Sequence, residues 1–233
     1  NKISHYKSVG HIFFHFVFLF LLSVLISDDL GVSLIFVFIF VGMAFSGGVK
    51  LFWFLLGGGA IAAVGPIIWN NFMDKYQRNR ILVLFDETID PMGIKERYHM
   101  IRSLKSLTGG GMTGQGLFNG NRTQIGALPS QHTDFIFSAI GEELGYMGCA
   151  LVIIMLLALV ARCIWVGTRS PDFMRRMICF GAAAALMFQV IINVGMCMGI
   201  LPVIGLTLPF VSYGGSSIVT LYAAMGIVAG VRH

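Results

Sequence analysis

Long apolar stretches separated by shorter polar ones dominate the chain. Most of the six apolar runs approach the roughly 20 residues that an α-helix needs to cross a bilayer. They are contiguous rather than alternating, which favours helices over a membrane β-barrel. The pattern predicts an all-α fold, a polytopic transmembrane helical bundle in which residues 1–233 form a single membrane domain. The runs cover about 9–26, 30–46, 51–69, 135–162, 177–199 and 216–231.

Two polar segments interrupt this pattern. The first, 70–133, is predicted as a large extracytoplasmic loop, and loops of this length in a compact protein usually carry function. Within it, Asp90-Pro91 predicts a turn. Apolar positions three to four residues apart across 96–107 predict a short amphipathic helix lying on the membrane surface. The second, the irregular segment 201–217, is tolerated at membrane depth only where it is buried in protein or lines a cavity.

Basic residues in the short loops indicate the orientation of the bundle. A cytoplasmic N-terminus, with a cytoplasmic C-terminus, leaves the long loop and the irregular segment together on the outer side. The basic residues that then lie on the cytoplasmic side are Lys2, Lys7, Lys50, Arg162, Arg169, Arg175, Arg176 and Arg232.

Composition supports a membrane protein and narrows its partners. The chain is 56% hydrophobic and 12% charged, whereas soluble domains are about a quarter charged. The net charge is +5, but the basic residues are scattered and form no nucleic-acid-binding motif, so nucleic acid is not expected as a partner. Membrane lipids with anionic head groups, or a phosphate-bearing substrate, fit better. The four cysteines lack metal-ligand spacing, and no metal site is predicted.

Three carboxylates mark the start of the fourth apolar run. Asp134 lies at the junction, and Glu142 and Glu143 lie just inside the run. Ionisable groups at a membrane boundary are costly, and function is the default interpretation. A base at the membrane edge is the main interpretation of Asp134, and helix N-capping is a compatible alternative. Glu142 and Glu143 lie about 12–14 Å further along the helix, and we expect them to be structural charges that pair with Lys or Arg of another helix or line a polar cavity.

Several ordered motifs resemble those of one family. The strongest are HTDFIF at 132–137, EELG at 142–145 and GLTLPFVSYGGSS at 205–217. Together they resemble the SEDS family of cell-wall proteins, the RodA, FtsW and SpoVE group, and favour the RodA branch. Members have about ten transmembrane helices, of which this chain would supply the last six. Further matches are Asp29-Leu30-Gly31, Asp90-Pro91, Ile101-Arg102-Ser103-Leu104 and Gly114-Gln115-Gly116-Leu117.

The resemblance implies a function in peptidoglycan synthesis. The family polymerises glycan strands from lipid II at the outer face of the bacterial cytoplasmic (inner) membrane. It works with a class B penicillin-binding protein, a transpeptidase that crosslinks the strands. The catalytic carboxylate of the family maps to Asp134, and the implied reaction is inverting glycosyl transfer from a lipid-linked donor. Two alternatives stay open: a lipid II flippase, which is a transporter, and a non-catalytic scaffold that holds the transpeptidase.

The implied reaction assigns roles to other polar residues. The leaving pyrophosphate needs positive charge, for which Arg102, Lys105 and Arg122 are candidates, or a divalent cation such as Mg²⁺ or Mn²⁺ as a cofactor. Each of these side chains is otherwise a solvated or lipid-facing charge. His132 is a second candidate base, because histidine titrates near neutral pH, or a loop residue that hydrogen-bonds backbone or substrate.

The last candidates lie near helix ends. Backbone N–H groups at the start of the final helix are predicted either to cradle substrate or to form a tight packing turn. Asp29 is predicted as a charge at a helix N-terminus, favoured by the helix dipole, with a share in the outer cavity as the alternative. The residues of the possible cradle are Ser212, Tyr213, Gly214, Gly215 and Ser216.

Overall fold

The computed structural model describes residues 6–27, 30–71, 73–95 and 97–231, and all regular structure in these ranges is helical. This confirms the predicted all-α fold. A short 3₁₀ turn, Glu87–Ile89, lies between α4 and α5. The α-helices are α1 (Tyr6–Ser27), α2 (Leu30–Ser46), α3 (Leu51–Asn71), α4 (Lys75–Leu82), α5 (Tyr98–Gly109), α6 (Asn121–Gln124), α7 (Ile136–Arg169), α8 (Phe173–Cys197) and α9 (Gly215–Gly230).

Six of these helices correspond to the six apolar runs. By length and composition, α3, α7 and α8 are sufficient to cross a membrane. The other three contain shorter apolar helical stretches, Phe13–Leu25, Gly31–Ser46 and Gly215–Gly230. The apolar pattern therefore located the helices correctly, because each long helix must present a largely apolar surface to lipid or to its neighbours.

Helix α8 is the centre of the packing. It forms a hairpin with α7 and packs on its other side against α2. Phe38 of α2 stacks on Phe188 of α8, with ring centroids 3.9 Å apart and planes 18° apart. Helix α3, in contrast, has no buried residue. The tightly packed part of the described protein is thus α7 and α8 with the elements that cover them.

The predicted amphipathic helix exists as α5. It packs against α7 and α8. Leu107 is buried in the core cluster of these helices. The buried Ser103 hydroxyl lies 2.6 Å from that of Ser138 and donates to the Cys197 carbonyl at 3.0 Å. The sequence pattern was read as lipid contact because an amphipathic helix presents the same apolar stripe to lipid and to protein.

The predicted turn at Asp90-Pro91 is present. The amide of Gly93 donates to the carbonyl of Asp90 at 3.1 Å. The Asp90 carboxylate also accepts hydrogen bonds from the backbone amides of Ile94 and Lys95 at 3.1 and 2.9 Å. One buried aspartate therefore organises the entry to α5.

Candidate active site

Asp134 lies at the loop end of the bundle, which we define as the end where α7 begins and α8 ends. Its backbone carbonyl accepts a hydrogen bond from the side-chain amide of Asn193 at 2.8 Å. The same amide donates to the carbonyl of Leu206 at 2.7 Å. Asn193 is fully buried in α8, so a single side chain ties the start of α7 to the irregular segment.

The residues before Asp134 are also bonded to the irregular segment. The Ser212 hydroxyl donates to the carbonyl of Thr133 at 2.6 Å and accepts from the amide of Leu208 at 2.8 Å. The amide of Tyr213 donates to the carbonyl of His132 at 2.8 Å. The sequence predicted only that the two polar segments share one side of the membrane; in the structure they are in direct contact.

The space beside the Asp134 carboxylate is kept open by glycine. Gly205 has φ +83°, which an L-residue rarely adopts, and a Cβ built there would lie 3.7 Å from Asp134 Oδ2. The side chain of Tyr213 is 79% exposed, and no atom lies within 4 Å of a Cβ built on Gly215. His132 and Ser216 are exposed too. Within the predicted cradle, Ser212 is buried and Gly214 is partly buried, whereas Tyr213, Gly215 and Ser216 are exposed.

N-capping by Asp134, the alternative interpretation, is not observed. The N-cap residue of α7 is Phe135, and no side chain caps it. Asp134 precedes the helix by two positions and is fixed through its backbone carbonyl.

Two residues that the sequence did not single out, Arg80 and His99, lie near Asp134. The His99 ring lies parallel to the ring of Phe135, with centroids 6.0 Å apart and planes 3° apart. Burial lowers the pKa of His99, the Arg80 guanidinium lowers it further, and the Asp134 carboxylate raises it. The imidazole is therefore within electrostatic range of both charges. Pattern reasoning missed these residues because they lie 54 and 35 positions before Asp134, and only the packing of the loop brings them close.

The three predicted phosphate-binding cations differ in their surroundings. Arg102 donates from Nη1 to the carbonyl of Ala127, and its guanidinium lies 4.4 Å from the centre of the Tyr98 ring. Arg102 thus holds the end of the long loop against α5. Lys105 is exposed on α5. Arg122 is partly exposed in α6, and its described hydrogen bond is from its backbone amide to Glu142.

Glu142 and Glu143 bind the long loop. Glu142 is fully buried; its Oε1 accepts from the amide of Arg122 at 2.6 Å, and its Oε2 has no hydrogen-bond partner among the described residues. Glu143 accepts from the amide of Phe118 at 3.1 Å and from the Thr123 hydroxyl at 3.3 Å. Among the described residues, the partners of these two carboxylates are therefore two amides and a hydroxyl of the long loop.

An interruption of α7 at Gly145 explains why the loop docks here. Gly145 has φ 68° and ψ −170°, a conformation that is essentially restricted to glycine. The backbone groups released by this break bond to the long loop. Carbonyls of α7 accept from Gln115 and Gly116 at 2.9 and 3.0 Å, and amides of α7 donate to Gly111 and Met112 at 2.9 and 3.2 Å. Residues 111–116 of the long loop are thus backbone partners of the broken helix.

Two further expectations concern ions and the α1–α2 connection. No group of three or more His, Cys, Asp or Glu side chains suited to a metal ion occurs within the part of the chain that is described. Asp29 lies outside the described residues, so its predicted role stays a prediction.

The fold and the site define a class of protein: a polytopic α-helical membrane protein with a polar site at one end of its bundle. The chain belongs to the FtsW/RodA/SpoVE family, described as cell cycle protein, whose profile matches residues 2–233. This confirms the resemblance drawn from the motifs.

Named relatives come from both branches of the family. The chain is 37% identical over 218 residues to the peptidoglycan glycosyltransferase MrdB of Escherichia coli, covering 93% of this chain and 58% of that protein. It is 40% identical over 220 residues to the probable peptidoglycan glycosyltransferase FtsW of Tolumonas auensis, covering 91% and 55%. The chain therefore spans less than two thirds of the length of these relatives.

Solved structures share the fold. A chain from a peptidoglycan synthase complex, described as coordinating polymerization and crosslinking, matches with a TM-score of 0.81 and 30% identity, over 100% of this chain and 63% of that one. A mutant of the rod shape determining protein RodA from Thermus thermophilus matches with a TM-score of 0.65 and 26% identity, over 99% and 58%.

Proposed function

We propose that this protein polymerises glycan strands of peptidoglycan from lipid II by inverting glycosyl transfer, with Asp134 as the general base. Relatives named peptidoglycan glycosyltransferase support the reaction class. One observation carries the assignment of the base. The Asp134 carboxylate faces the space left by Gly205, while its backbone is bonded to the buried Asn193. A base must combine such access with a fixed position.

The proposed step is a single displacement at the anomeric carbon of the donor. The acceptor hydroxyl oxygen forms a bond to this carbon, and its proton passes to the Asp134 carboxylate. The bond from the anomeric carbon to the pyrophosphate oxygen breaks, and its electron pair leaves with the lipid pyrophosphate. The base makes a weak nucleophile effective, a contribution of typically 10²–10⁴-fold.

The substrate would approach through the open side of the site. His132, Tyr213, Gly215 and Ser216 border this opening and are suited to contact sugar or phosphate groups. Ser212 instead maintains the packing below them, because it is buried and its hydroxyl is bonded on both sides.

The proposed setting is the bacterial cytoplasmic membrane, with both ends of this chain in the cytoplasm and the loop end outside. The positive-inside distribution of short-loop cations supports this orientation. A class B penicillin-binding protein is the proposed partner, in line with the synthase complex that couples polymerization to crosslinking. Lipid II and the surrounding membrane lipids complete the set of partners.

A direct assay tests the function. Full-length protein, purified with its transpeptidase partner, is incubated with lipid II, and glycan chains are resolved by gel electrophoresis. We expect polymer from the wild type and almost none from Asp134→Asn. Undiminished polymer from Asp134→Asn would exclude this base. No polymer from a folded wild-type complex would favour a flippase or a scaffold, and a transbilayer movement assay on the same sample would separate these two.

The same assay tests the proposed divalent cation. Chelation with EDTA followed by Mg²⁺ or Mn²⁺ should abolish and then restore polymer if a metal assists the leaving group. Full activity in EDTA would contradict a metal requirement. Basic side chains would then have to stabilise the negative charge on the leaving pyrophosphate.

A further inference from the structure

Arg80 is attached to the irregular segment close to the position that lies beside Asp134. It lies in α4, at the start of the long loop, and its Nη1 donates to the carbonyl of Val203 at 3.3 Å. Gly205, which faces the Asp134 carboxylate, is two residues further along. Two residues of extended chain span at most about 7 Å. The guanidinium and the carboxylate therefore border neighbouring positions of the same segment.

The guanidinium of Arg80 is held in place but not saturated. Its Nη2 donates to the hydroxyl of Tyr76, and the group lies 4.3 Å from the centre of the Tyr76 ring. A guanidinium carries five N–H donors, and the described contacts use one on each Nη. Three N–H groups are left for a ligand. Arg80 is also partly exposed, so a ligand can reach it.

His99 gives independent support for this arrangement. Its ring is stacked on Phe135, the residue after Asp134, and its Nδ1 is buried without a hydrogen-bond partner among the described residues. The pKa of His99 is lowered by burial and by Arg80 and raised by Asp134. Arg80 and Asp134 are therefore both within electrostatic range of the His99 ring.

We propose that Arg80 binds the pyrophosphate of the lipid-linked donor, opposite Asp134. The proposal rests on the proposed function and adds a residue to its site. In the transfer step, Asp134 takes the acceptor's proton, while Arg80 stabilises the negative charge that gathers on the leaving pyrophosphate oxygen. Arginine suits this task because its planar fork can donate two parallel hydrogen bonds to phosphate oxygens. Arg102, by contrast, is attached to Ala127 and Tyr98, and none of its described contacts is with the irregular segment.

Arg78 provides a matched control. It lies in the same helix, two residues earlier, and carries the same charge. Its Nε donates to the carbonyl of Met73 at 2.9 Å, just before the start of α4, and none of its described contacts is with the irregular segment. Arg78→Gln therefore removes one positive charge from α4 without removing the group proposed to bind pyrophosphate.

The test measures binding without catalysis. Full-length protein carrying Asp134→Asn, in complex with its partner, is titrated with fluorescent lipid II, with polyprenyl pyrophosphate and with polyprenyl monophosphate. We expect Arg80→Gln to weaken binding of both pyrophosphates by roughly 10-fold or more, as for the loss of a charged hydrogen bond. The monophosphate should be affected less, and Arg78→Gln should stay within about twofold of the parent.

Folding is checked by the thermal unfolding midpoint. If Arg80→Gln fails to fold, Arg80→Lys keeps the charge but loses the bidentate fork, and its preference for pyrophosphate over monophosphate should fall. An unchanged preference in the folded variants would overturn the proposal. The outcome is separable from the proposed function: polymer formation with unchanged pyrophosphate binding in Arg80→Gln rejects only Arg80. Loss of binding in Arg80→Gln with no polymer from the wild type rejects only the polymerase.

Discussion

Asp134, just before α7, and Glu142, within α7, lie eight residues apart, and their surroundings differ in burial and in hydrogen-bond partners. Asp134 is partly exposed, and its backbone is fixed by Asn193. Glu142 is fully buried, and its carboxylate holds the amide of Arg122. At Asp134, the described contact that fixes the chain is made by the backbone carbonyl. A carboxylate that is fixed through its side chain contributes to the fold.

The regions around Asp134 and Glu142 differ in the same way, and the break of α7 at Gly145 contributes to the difference. Around Asp134, side chains of α8 and of the irregular segment bond to the chain, and a glycine leaves space. Around Glu142, the long loop fills the space, because the interrupted helix offers backbone groups to it. We therefore expect mutations at the first region to change activity and mutations at the second to change stability first.

The largest expected effect is the loss of activity in Asp134→Asn. The substitution keeps the size and the backbone contact but removes the base, so polymerisation should fall about 10²–10⁴-fold with little change in the thermal unfolding midpoint. Gel-resolved glycan product from lipid II measures it. Asp86→Asn is a suitable control, because the Asp86 carboxylate is exposed in the long loop and bonds to Thr88. Equal loss in both variants would contradict the assignment.

The next effect is a loss of stability in Glu142→Ala. This variant leaves the amide of Arg122 without its acceptor and opens a cavity in a fully buried place, so unfolding should become easier by roughly 1.5–3 kcal/mol. The thermal midpoint and protease cleavage within 110–123 report it. Glu142→Gln keeps an acceptor for Arg122 and should lose less. Glu143 is partly exposed with longer bonds, so an equally large loss in Glu143→Ala would contradict the distinction.

A substitution at the helix break should have a similar or smaller effect. A Cβ on Gly145 would lie 2.4 Å from the amide nitrogen of Gly114 and 2.5 Å from the carbonyl oxygen of Met112, so Gly145→Ala should displace the long loop. Gly126 is the matched control: its φ is +65°, and open space surrounds it. Gly126→Ala should therefore cost only the backbone strain, about 1–2 kcal/mol. An equal fall of the thermal midpoint in Gly145→Ala and Gly126→Ala would show that the contact between Gly145 and the long loop contributes nothing to stability.

The smallest expected effect concerns pH and His99. Burial and Arg80 lower its pKa in the folded protein despite the opposing effect of Asp134. The unfolded chain therefore binds a proton at His99 more readily than the folded protein does. The stability contributed by the neutral imidazole is fully present above the ordinary pKa of 6.5. It is lost as the pH falls through 6.5 towards the lower pKa of the folded protein. The thermal midpoint of the wild type should fall on acidification, and His99→Gln should reduce that fall.

Asp134→Asn sharpens the same measurement. Removing the carboxylate that raises the pKa of His99 should lower that pKa further and steepen the loss of stability on acidification. His132→Gln serves as a control for removing an exposed imidazole from the same site. If the thermal midpoint falls equally on acidification in the wild type and in His99→Gln, the proposed lowering of the pKa of His99 would be contradicted.

Sequence patterns predicted the elements of the site better than their contacts. The apolar runs located six helices, because a membrane-spanning helix requires a long apolar stretch. Residues 201–214 form no regular element, as the pattern of the second polar segment predicted. The α5 helix was found, but its packing against α7 and α8 was not, since an apolar stripe does not specify what covers it. The motif Gly114-Gln115-Gly116-Leu117 was noticed, but its role as a backbone partner of α7 depends on a break at Gly145 that no local pattern reveals.

By itself, the sequence determined the helical membrane architecture, the position of Asp134 at the junction of polar loop and apolar run, and membership of the family through its ordered motifs. These are local properties, which hydrophobicity and residue order specify directly. Only the tertiary structure decided which side chains surround Asp134. Asn193, Ser212, His99 and Arg80 come from four separate elements, and long-range packing alone brings them together. The tertiary structure also distinguished the role of Asp134 from that of Glu142, because burial and hydrogen-bond partners are properties of the folded chain.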